Sequence, residues 1–325
     1  MSKILVAGAG GFIGGHLVRA LSDKGHDVRA VDIKPVSDWY QTQQDAETLQ
    51  LDMAEKDAAF SAVSGVDRVF NLACDMGGIG FIENNKAACM LSVLINTNLL
   101  MAAREYDVSR YFYSSSACVY AAGRQRDPNS TALAEADAYP AQPEDGYGWE
   151  KLFSERLCRH FREDFGLKTR VARFHNVYGP YGTWDGGREK APAAICRKVI
   201  LAKMRGDDSI DIWGDGHQTR SFMYIDDCLH GLQLITDGDY VEPLNLGTSE
   251  LVTINALVDM VCDIAGVNLK RIHNLDAPQG VRGRNSDNSL IKAVYNWEPS
   301  VPLRRGMEKT FQWISQEIAA GRSGA

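Results

Sequence analysis

Tyr147 and Lys151 stand four residues apart in a segment whose apolar side chains recur at three and four spacing, so on a helix the phenol and the ammonium leave the same face. A phenol ordinarily titrates near ~10, and bringing it to ~7 takes roughly 4 kcal/mol, which an ammonium and an adjacent cationic ring could supply together. A tyrosine tuned in this way takes the proton from an alcohol while hydride leaves the same carbon. Ser114-Ser115-Ser116, at the end of an apolar run, offers hydroxyls to hold that alcohol. By itself a Tyr and a Lys at this spacing describe a helix surface, and the chemistry also needs a hydride acceptor beside them.

The N-terminus has a place for one. Gly8-Ala9-Gly10-Gly11-Phe12-Ile13-Gly14 follows a predicted strand and opens a predicted helix. In that context Gly8 permits a tight turn, Gly11 lets the backbone approach a pyrophosphate and Gly14 allows close helix packing. The helix start at Phe12 and Ile13 favours the anion through its free amides and dipole. Asp32, 18 residues beyond Gly14, ends the next strand, where a carboxylate accepts both ribose hydroxyls of NAD and repels the extra phosphate of NADP. Lys34 weakens that preference without reversing it. Asp52, after the third strand, is a candidate for the adenine edge, with a solvated strand-end carboxylate as the plainer reading.

These residues need a framework. Apolar runs at Lys3 to Ala7, Asp27 to Val31, Thr48 to Asp52, Arg68 to Asn71, Arg110 to Ser114 and Lys168 to Phe174 read as strands. Between them, Ile13 to Lys24, Ala54 to Val63, Lys86 to Tyr106 and Tyr147 to Phe165 carry helical periodicity. Strand and helix in alternation predict an α/β fold with a doubly wound parallel sheet. After Tyr178-Gly179-Pro180 the alternation stops. Residues 1–180, with strands returning at Ser221 to Ile225 and Glu242 to Leu246, would form the dinucleotide domain. Residues 181–220 and 251–325 would form a smaller interleaved lobe, and the Gly- and Ala-rich tail from Ala319 is expected to fray.

A net charge of −7 argues against a nucleic-acid partner, because such affinity comes from clustered Lys and Arg. No run approaches the ~18 apolar residues that span a membrane, so a membrane location is not expected. The seven scattered cysteines include no CxxC pair, and the histidines show no metal-ligand spacing, so the expectation is a reducing, cytoplasmic setting and no metal. His175 and His217 are assigned no catalytic role.

The glycine loop, the serine run and the Tyr-x-x-x-Lys pair together resemble the short-chain dehydrogenase/reductase superfamily. Asn71-Leu72-Ala73 and the run from Arg173 to Pro180 resemble its extended, nucleotide-sugar branch, whose sheet is Rossmann-type. The resemblance implies that Ser116 hydrogen-bonds the reacting hydroxyl, that Tyr147 is the acid/base, and that Lys151 orients the nicotinamide ribose. Within that branch several segments resemble the GDP-mannose 3,5-epimerase family: residues 75–81 (DMGGIGF), 115–120 (SSACVY), 182–184 (GTW), 186–193 (GGREKAPA), 213–222 (WGDGHQTRSF) and 281–288 (VRGRNSDN).

What that likeness implies is a redox-neutral cycle on GDP-mannose: NAD oxidises C4, the ketone acidifies the C3 and C5 protons, one or both centres invert, and C4 is reduced again, giving GDP-L-galactose or GDP-L-gulose. Inversion requires a base on one face and an acid on the other; the matching positions are Cys118 and Lys190. Alone, these read as a small buried strand residue and a solvated loop lysine. By the same resemblance Gly77 approaches the sugar, and Asn176, Glu189, Ala191, Lys198, Gln218, Thr219, Arg220 and Arg284 hold sugar, diphosphate or guanosine, Arg220 and Arg284 most directly. Either arginine could instead pair with Asp226 or Asp287. A homodimer through the helices at 86–106 and 147–165 is also implied. Departures from the family pattern are Ser92, where many relatives carry Asn, and Lys34-Pro35 beyond Asp32. A nucleotide-sugar 4-epimerase, which needs neither Cys118 nor Lys190, and a catalytically silent dinucleotide-binding scaffold are the competing readings.

Overall fold

A computed structural model describes residues 2–322. Seven parallel strands form the main sheet: β1 (Lys3–Ala7), β2 (Asp27–Asp32), β3 (Glu47–Gln50), β4 (Arg68–Asn71), β5 (Arg110–Ser116), β6 (Thr169–Phe174) and, after an excursion, β10 (Leu244–Leu246). Their spatial order is β10-β6-β5-β4-β1-β2-β3. The chain thus winds outward from β1 in one direction and then from β4 in the other. The crevice at that reversal, outside the carboxyl ends of the strands, is where such sheets take ligands.

Alternation along β1 explains why the sheet is covered on both sides. Ile4 and Val6 point into one core, with Leu17 and Val18 of α1 (Phe12–Asp23), Phe112, and Leu232 of α7 (Ile225–Asp237). Leu5 and Ala7 point into the other, with Ala59 of α2 (Lys56–Val63), Leu99 of α4 (Lys86–Glu105), which follows the short α3 (Ile79–Asn84), and Cys158 of α5 (Tyr147–Phe165). Helix α5 ends at Gly166 in the left-handed conformation, which needs no Cβ.

The second region begins with β7 (Asn176–Tyr178) and α6 (Ala191–Arg205), which has proline in its first turn and Gly206 as its left-handed C-cap. It continues through β8 (Ser209–Trp213), β9 (Thr219–Tyr224), β11 (Leu251–Thr253), α8 (Ile254–Ala265), β12 (Lys270–Asn274), β13 (Gly283–Arg284), α9 (Ser289–Tyr295) and α10 (Leu303–Ala319). Two small sheets result. One joins β7, β9, β11 and β13, and the other pairs β8 with β12.

Two expectations need correction, those for the strand at 221–225 and for helix α4. The strand read at 221–225 exists as β9 but does not return to the main sheet: its backbone pairs with β7, β11 and β13, while only the strand read at 242–246 joins β6. Asp52 lies past β3, where its Oδ1 accepts the Ala54 amide at 2.8 Å and turns the chain into α2. Helix α4, at 20 residues and a mean hydropathy of 1.4, is long and apolar enough to cross a bilayer by length and composition. Its inner face packs on the sheet and α5 through Cys89, Ser92, Asn96, Leu99 and Leu100, which accounts for part of that hydropathy. Helix α10 is intact to Ala319; of the tail expected to fray, residues 323–325 lie outside the described residues.

A buried ion pair joins α5 to the sheet. Arg173 on β6 donates from Nε and Nη2 to the two carboxylate oxygens of Glu155 at 2.9 and 2.7 Å, and Nη1 reaches the Glu135 carbonyl at 2.7 Å. Both charged side chains are 3% exposed. Removing one partner strands the other charge away from water. Glu155→Ala is therefore expected to lose about 3–5 kcal/mol of unfolding free energy; a urea-denaturation loss below about 1 kcal/mol would mean that the pair is dispensable.

Candidate active site

The glycine loop between β1 and α1 fits a dinucleotide pyrophosphate. Gly8 has φ +86°, and a Cβ on Gly14 would sit 2.0 Å from the Gly8 carbonyl, so the first turn of α1 presses onto the end of β1 as only glycine allows. The Asp32 carboxylate is aimed at this loop: Oδ2 accepts the Gly10 amide at 2.9 Å and Oδ1 the Lys34 amide at 3.0 Å. Phe12 and Ile13 open the helix as expected. Trp39, which the sequence reading did not single out, folds back from the loop after β2 so that a Cβ on Gly10 would lie 2.5 Å from its indole nitrogen, itself bonded to the Lys34 carbonyl at 3.2 Å. Asp52 Oδ1 holds its own turn by accepting the Ala54 amide.

Ser116, Tyr147 and Lys151 come together at the carboxyl end of β5. Tyr147 is buried, with Ser116 close enough to favour the ionised phenol, and Lys151 Nζ lies 5.4 Å from the phenol ring centre. The expected lowering of the phenol does not follow from this arrangement. Burial first, and then the proximity of the Cys74 and Cys118 thiols and the Glu150 carboxyl, pushes Tyr147 well above its ordinary pKa, with Ser116 pulling the other way. For Lys151 burial works against the ammonium, but Cys74 and Glu150 offset it and the net shift is upward. Cys74, half-buried just beyond β4, was also missed; its position past a strand end at the ligand edge of the sheet was the available signal.

Cys118 is not on the strand but in a 3₁₀ turn, 117–119, that Ser116 caps by accepting the Cys118 amide at 3.2 Å. Helix α5 holds that turn from above: a Cβ on Gly148 would come 2.3 Å from the Cys118 carbonyl, which also accepts the Glu144 amide at 3.0 Å. A glycine inside a helical pattern was the sequence cue for this contact. Arg284 reaches in from β13, donating from Nη1 to the Cys118 sulfur at 3.6 Å and from Nε to Gln125 at 2.7 Å, while Nη2 pairs with Glu144. Lys190 caps α6, half-buried near Cys118 and Cys74; burial lowers its pKa, and the nearby thiols raise it by less. Cys118 packs with Tyr147 and Cys74, and Lys190 from the other lobe lies near the same two thiols.

The remaining residues divide. Gly77 lies where a Cβ would meet Phe81 at 2.8 Å and Arg188 at 3.3 Å, so the 75–78 loop and the 186–190 loop touch, with Asp75 and Arg188 paired at 2.8 Å. Ser92, the departure from the family pattern, accepts the Asp75 amide at 2.9 Å and anchors that loop. Arg220 is capped by the carbonyls of Thr219 and Val281 at 2.8 and 2.6 Å and forms no ion pair among the described residues. Burial lowers its pKa to about 10. Neither Arg220 nor Arg284 takes Asp226 or Asp287 as its partner.

Other candidates are engaged locally. Glu189 accepts from Arg197 at 2.9 Å and from the Gly187 amide at 2.7 Å, so it shapes its own loop. Asn176 donates to the Ser221 carbonyl at 3.1 Å, Lys198 to the Asp211 carbonyl at 2.7 Å, and Thr219 to the Pro128 carbonyl at 2.5 Å. Ala191 is the first residue of α6. Gln218 donates to the Trp213 carbonyl at 3.0 Å, but its buried Oε1 has no partner. His175 is buried against Tyr120, with a pKa lowered to about 4 by burial, and is a neutral structural residue.

Comparison with known proteins agrees with this geometry. Residues 4–247 match the NAD dependent epimerase/dehydratase family. A GDP-mannose 3,5-epimerase of Arabidopsis thaliana is 44% identical over 323 residues, 97% of this chain and 83% of that protein. UDP-glucose 4-epimerase from Thermotoga maritima, solved with UDP-glucose, superposes with a TM-score of 0.87 at 25% identity, covering 97% of this chain and 99% of that one. UDP-glucuronic acid 4-epimerase from Bacillus cereus, solved with UDP-glucuronic acid and NAD, gives 0.81 at 25% identity over 97% and 99%. The matched region contains the glycine loop, Asp32, Ser116, Tyr147 and Lys151, and with NAD as its cofactor this chain belongs to the NAD dependent epimerase/dehydratase family.

Proposed function

We propose that the protein inverts GDP-mannose at C5, or at C3 and C5, through a transient 4-keto sugar, giving GDP-L-gulose or GDP-L-galactose. The observation that carries this reading is the convergence of Cys118 and Lys190, from different lobes, beside the Tyr147–Lys151 pair. Gly8, Gly11 and Gly14 with the α1 N-terminus would hold the NAD pyrophosphate, and Asp32 its ribose. Bound NAD supplies the hydride acceptor for C4 oxidation and, once reduced, the donor that restores C4. Tyr147, held by Ser116, takes the C4 hydroxyl proton and returns it. Lys151, whose Nζ lies 5.4 Å from the phenol ring centre, would hold the cofactor ribose.

The ketone at C4 makes the hydrogens on C3 and C5 acidic, and inversion needs removal on one face and delivery on the other. Cys118 and Lys190 serve as that pair. Burial biases Lys190 toward its neutral form, and Arg284 donates an N–H to the Cys118 sulfur; one of the two groups would enter the step protonated and deliver its proton as the other removes one. Arg220, free of a carboxylate partner among the described residues, is the strongest candidate for the diphosphate. The lobe of residues 181–220 and 251–325 would supply the nucleotide contacts. A 4-epimerase, the activity named for the Thermotoga structural relative, would use the same Tyr147 and Lys151 but would leave Cys118 and Lys190 without a task.

The outer faces of α4 and α5 support a homodimer. Leu91 and Leu94 on α4 are 61% and 45% exposed, and Trp149 and Phe153 on α5 are 45% and 54% exposed, a contiguous apolar stripe on adjacent helices. Seven free thiols fit a reducing, cytoplasmic setting.

With GDP-mannose and catalytic NAD in deuterated water, label is expected at C5 or at both carbons. Cys118→Ala and Lys190→Ala are each expected to lose about 100-fold or more of that exchange while still binding NAD. No exchange at either carbon in folded, NAD-bound protein would sink the assignment and leave the 4-epimerase reading. For assembly, light scattering should report a dimer that Leu91→Asp with Phe153→Asp converts to monomer; a monomeric parent protein would refute the interface.

A further inference from the structure

Glu150 is a carboxylate that the reaction scheme leaves without a task. It lies in the first turn of α5 and is 3% exposed. Neighbours one apart on a helix point about 100° away from each other and do not ordinarily face. Here the carboxylate is nonetheless turned toward Lys151. Tyr113 on β5 donates to Glu150 Oε1 at 3.0 Å, and Ser154, one helical turn on, donates to the same oxygen at 2.8 Å. All three side chains are buried. Oε2 accepts no well-formed hydrogen bond and lies 3.4 Å from Lys151 Nζ.

A buried ammonium with no counter-ion sheds its proton rather than keep its charge in a medium of low polarity. Lys151 is 1% exposed. The groups that face it are Tyr147 from its own helix, Tyr113 from β5, Cys74 from the loop after β4, and Glu150. Burial raises the Cys74 thiol, so near neutral pH it carries no charge. The tyrosines are likewise raised. Glu150 is the carboxylate that lies within ion-pair distance, its Oε2 3.4 Å from Nζ.

We propose that Glu150 is a positioning residue for the proton-transfer pair: a fixed, buried counter-ion, held by Tyr113 and Ser154, that keeps Lys151 charged and its other N–H donors turned away toward the phenol and the cofactor ribose. The proposal rests on reading Tyr147 and Lys151 as that pair. It gives Glu150 a purpose through the cycle. Bound NAD would supply a cationic ring only in its oxidised form, so Lys151 would be the cation beside Tyr147 in both forms. A fixed carboxylate holds its proton in both halves of the reaction. Because Glu150 also opposes ionisation of Tyr147, its removal acts on the two groups in different ways, and the lysine must be read directly.

The test is pH-dependent competitive acetylation of the NAD-bound enzyme by acetic anhydride, with Lys151 followed by peptide mass and normalised to its plateau. In Glu150→Gln the labelling midpoint is expected to fall by about one pH unit or more, and in Glu150→Asp, which keeps the charge but withdraws it, by about half as much. The alkaline limb of kcat for the epimerase reaction should move down with the midpoint, with KM little changed. Should the Gln variant not fold, the Asp variant decides by the same criterion. An unmoved midpoint overturns the proposal, as does a midpoint that falls while the alkaline limb of an active enzyme stays in place. If the parent protein proves inactive on GDP-mannose, the function proposed above fails and the labelling midpoint alone still decides whether Glu150 is the counter-ion.

Discussion

The buried ammonium of Lys151 is the constraint around which the site is organised. Removing such a charge from water costs several kcal/mol unless a partner of opposite sign and good hydrogen-bond geometry is present. Helix α5 answers this by burying Glu150 beside it and by anchoring that carboxylate to β5 and to its own next turn. One turn further along, the same helix buries Glu155 against Arg173. The face of α5 that meets the sheet therefore carries charge where an ordinary packing helix would carry leucine. Its rotation and height over the sheet are set by ion pairs as well as by shape.

That placement decides where the thiol goes. Gly148 lets the first turn of α5 descend onto the Cys118 carbonyl, and Ser116 caps the turn that carries Cys118. The phenol, the serine and the thiol are thus held by backbone contacts within a single β-to-α crossover. The second lobe brings the cations. Arg284 enters from β13 onto the sulfur, Lys190 from the start of α6, and Arg220 from β9 with backbone carbonyls as its direct partners. The main sheet arranges the redox and proton-transfer groups, while the charges suited to a diphosphate come from the smaller sheets.

The dinucleotide end depends on a different economy of contacts. Glycines at 8 and 14 allow the loop to collapse onto β1, Asp32 ties that loop to β2, and Trp39 covers it from outside. In a redox-neutral cycle the cofactor must be retained, because the same molecule that accepts hydride has to return it. A loop closed by an indole is suited to retention.

Local spacing was enough for the sequence to determine the parallel sheet, the glycine loop, Asp32 and the Tyr147–Lys151 face, because each depends on residues within one turn or one strand-turn-helix unit. The likeness of short segments brought Cys118, Lys190, Arg220 and Arg284 into view without saying how they meet. Their meeting was decided by tertiary structure. Cys118 and Arg284 are 166 positions apart, with no periodicity that reports a contact across lobes, and β9 pairs with β7, β11 and β13, strands drawn from separate stretches of the chain. The same holds for Asn176, whose amide is engaged by the Ser221 carbonyl 45 positions away. Whether a polar side chain is free for a ligand is settled by what else is within ~3 Å of it, and periodicity along a chain carries no information about that distance.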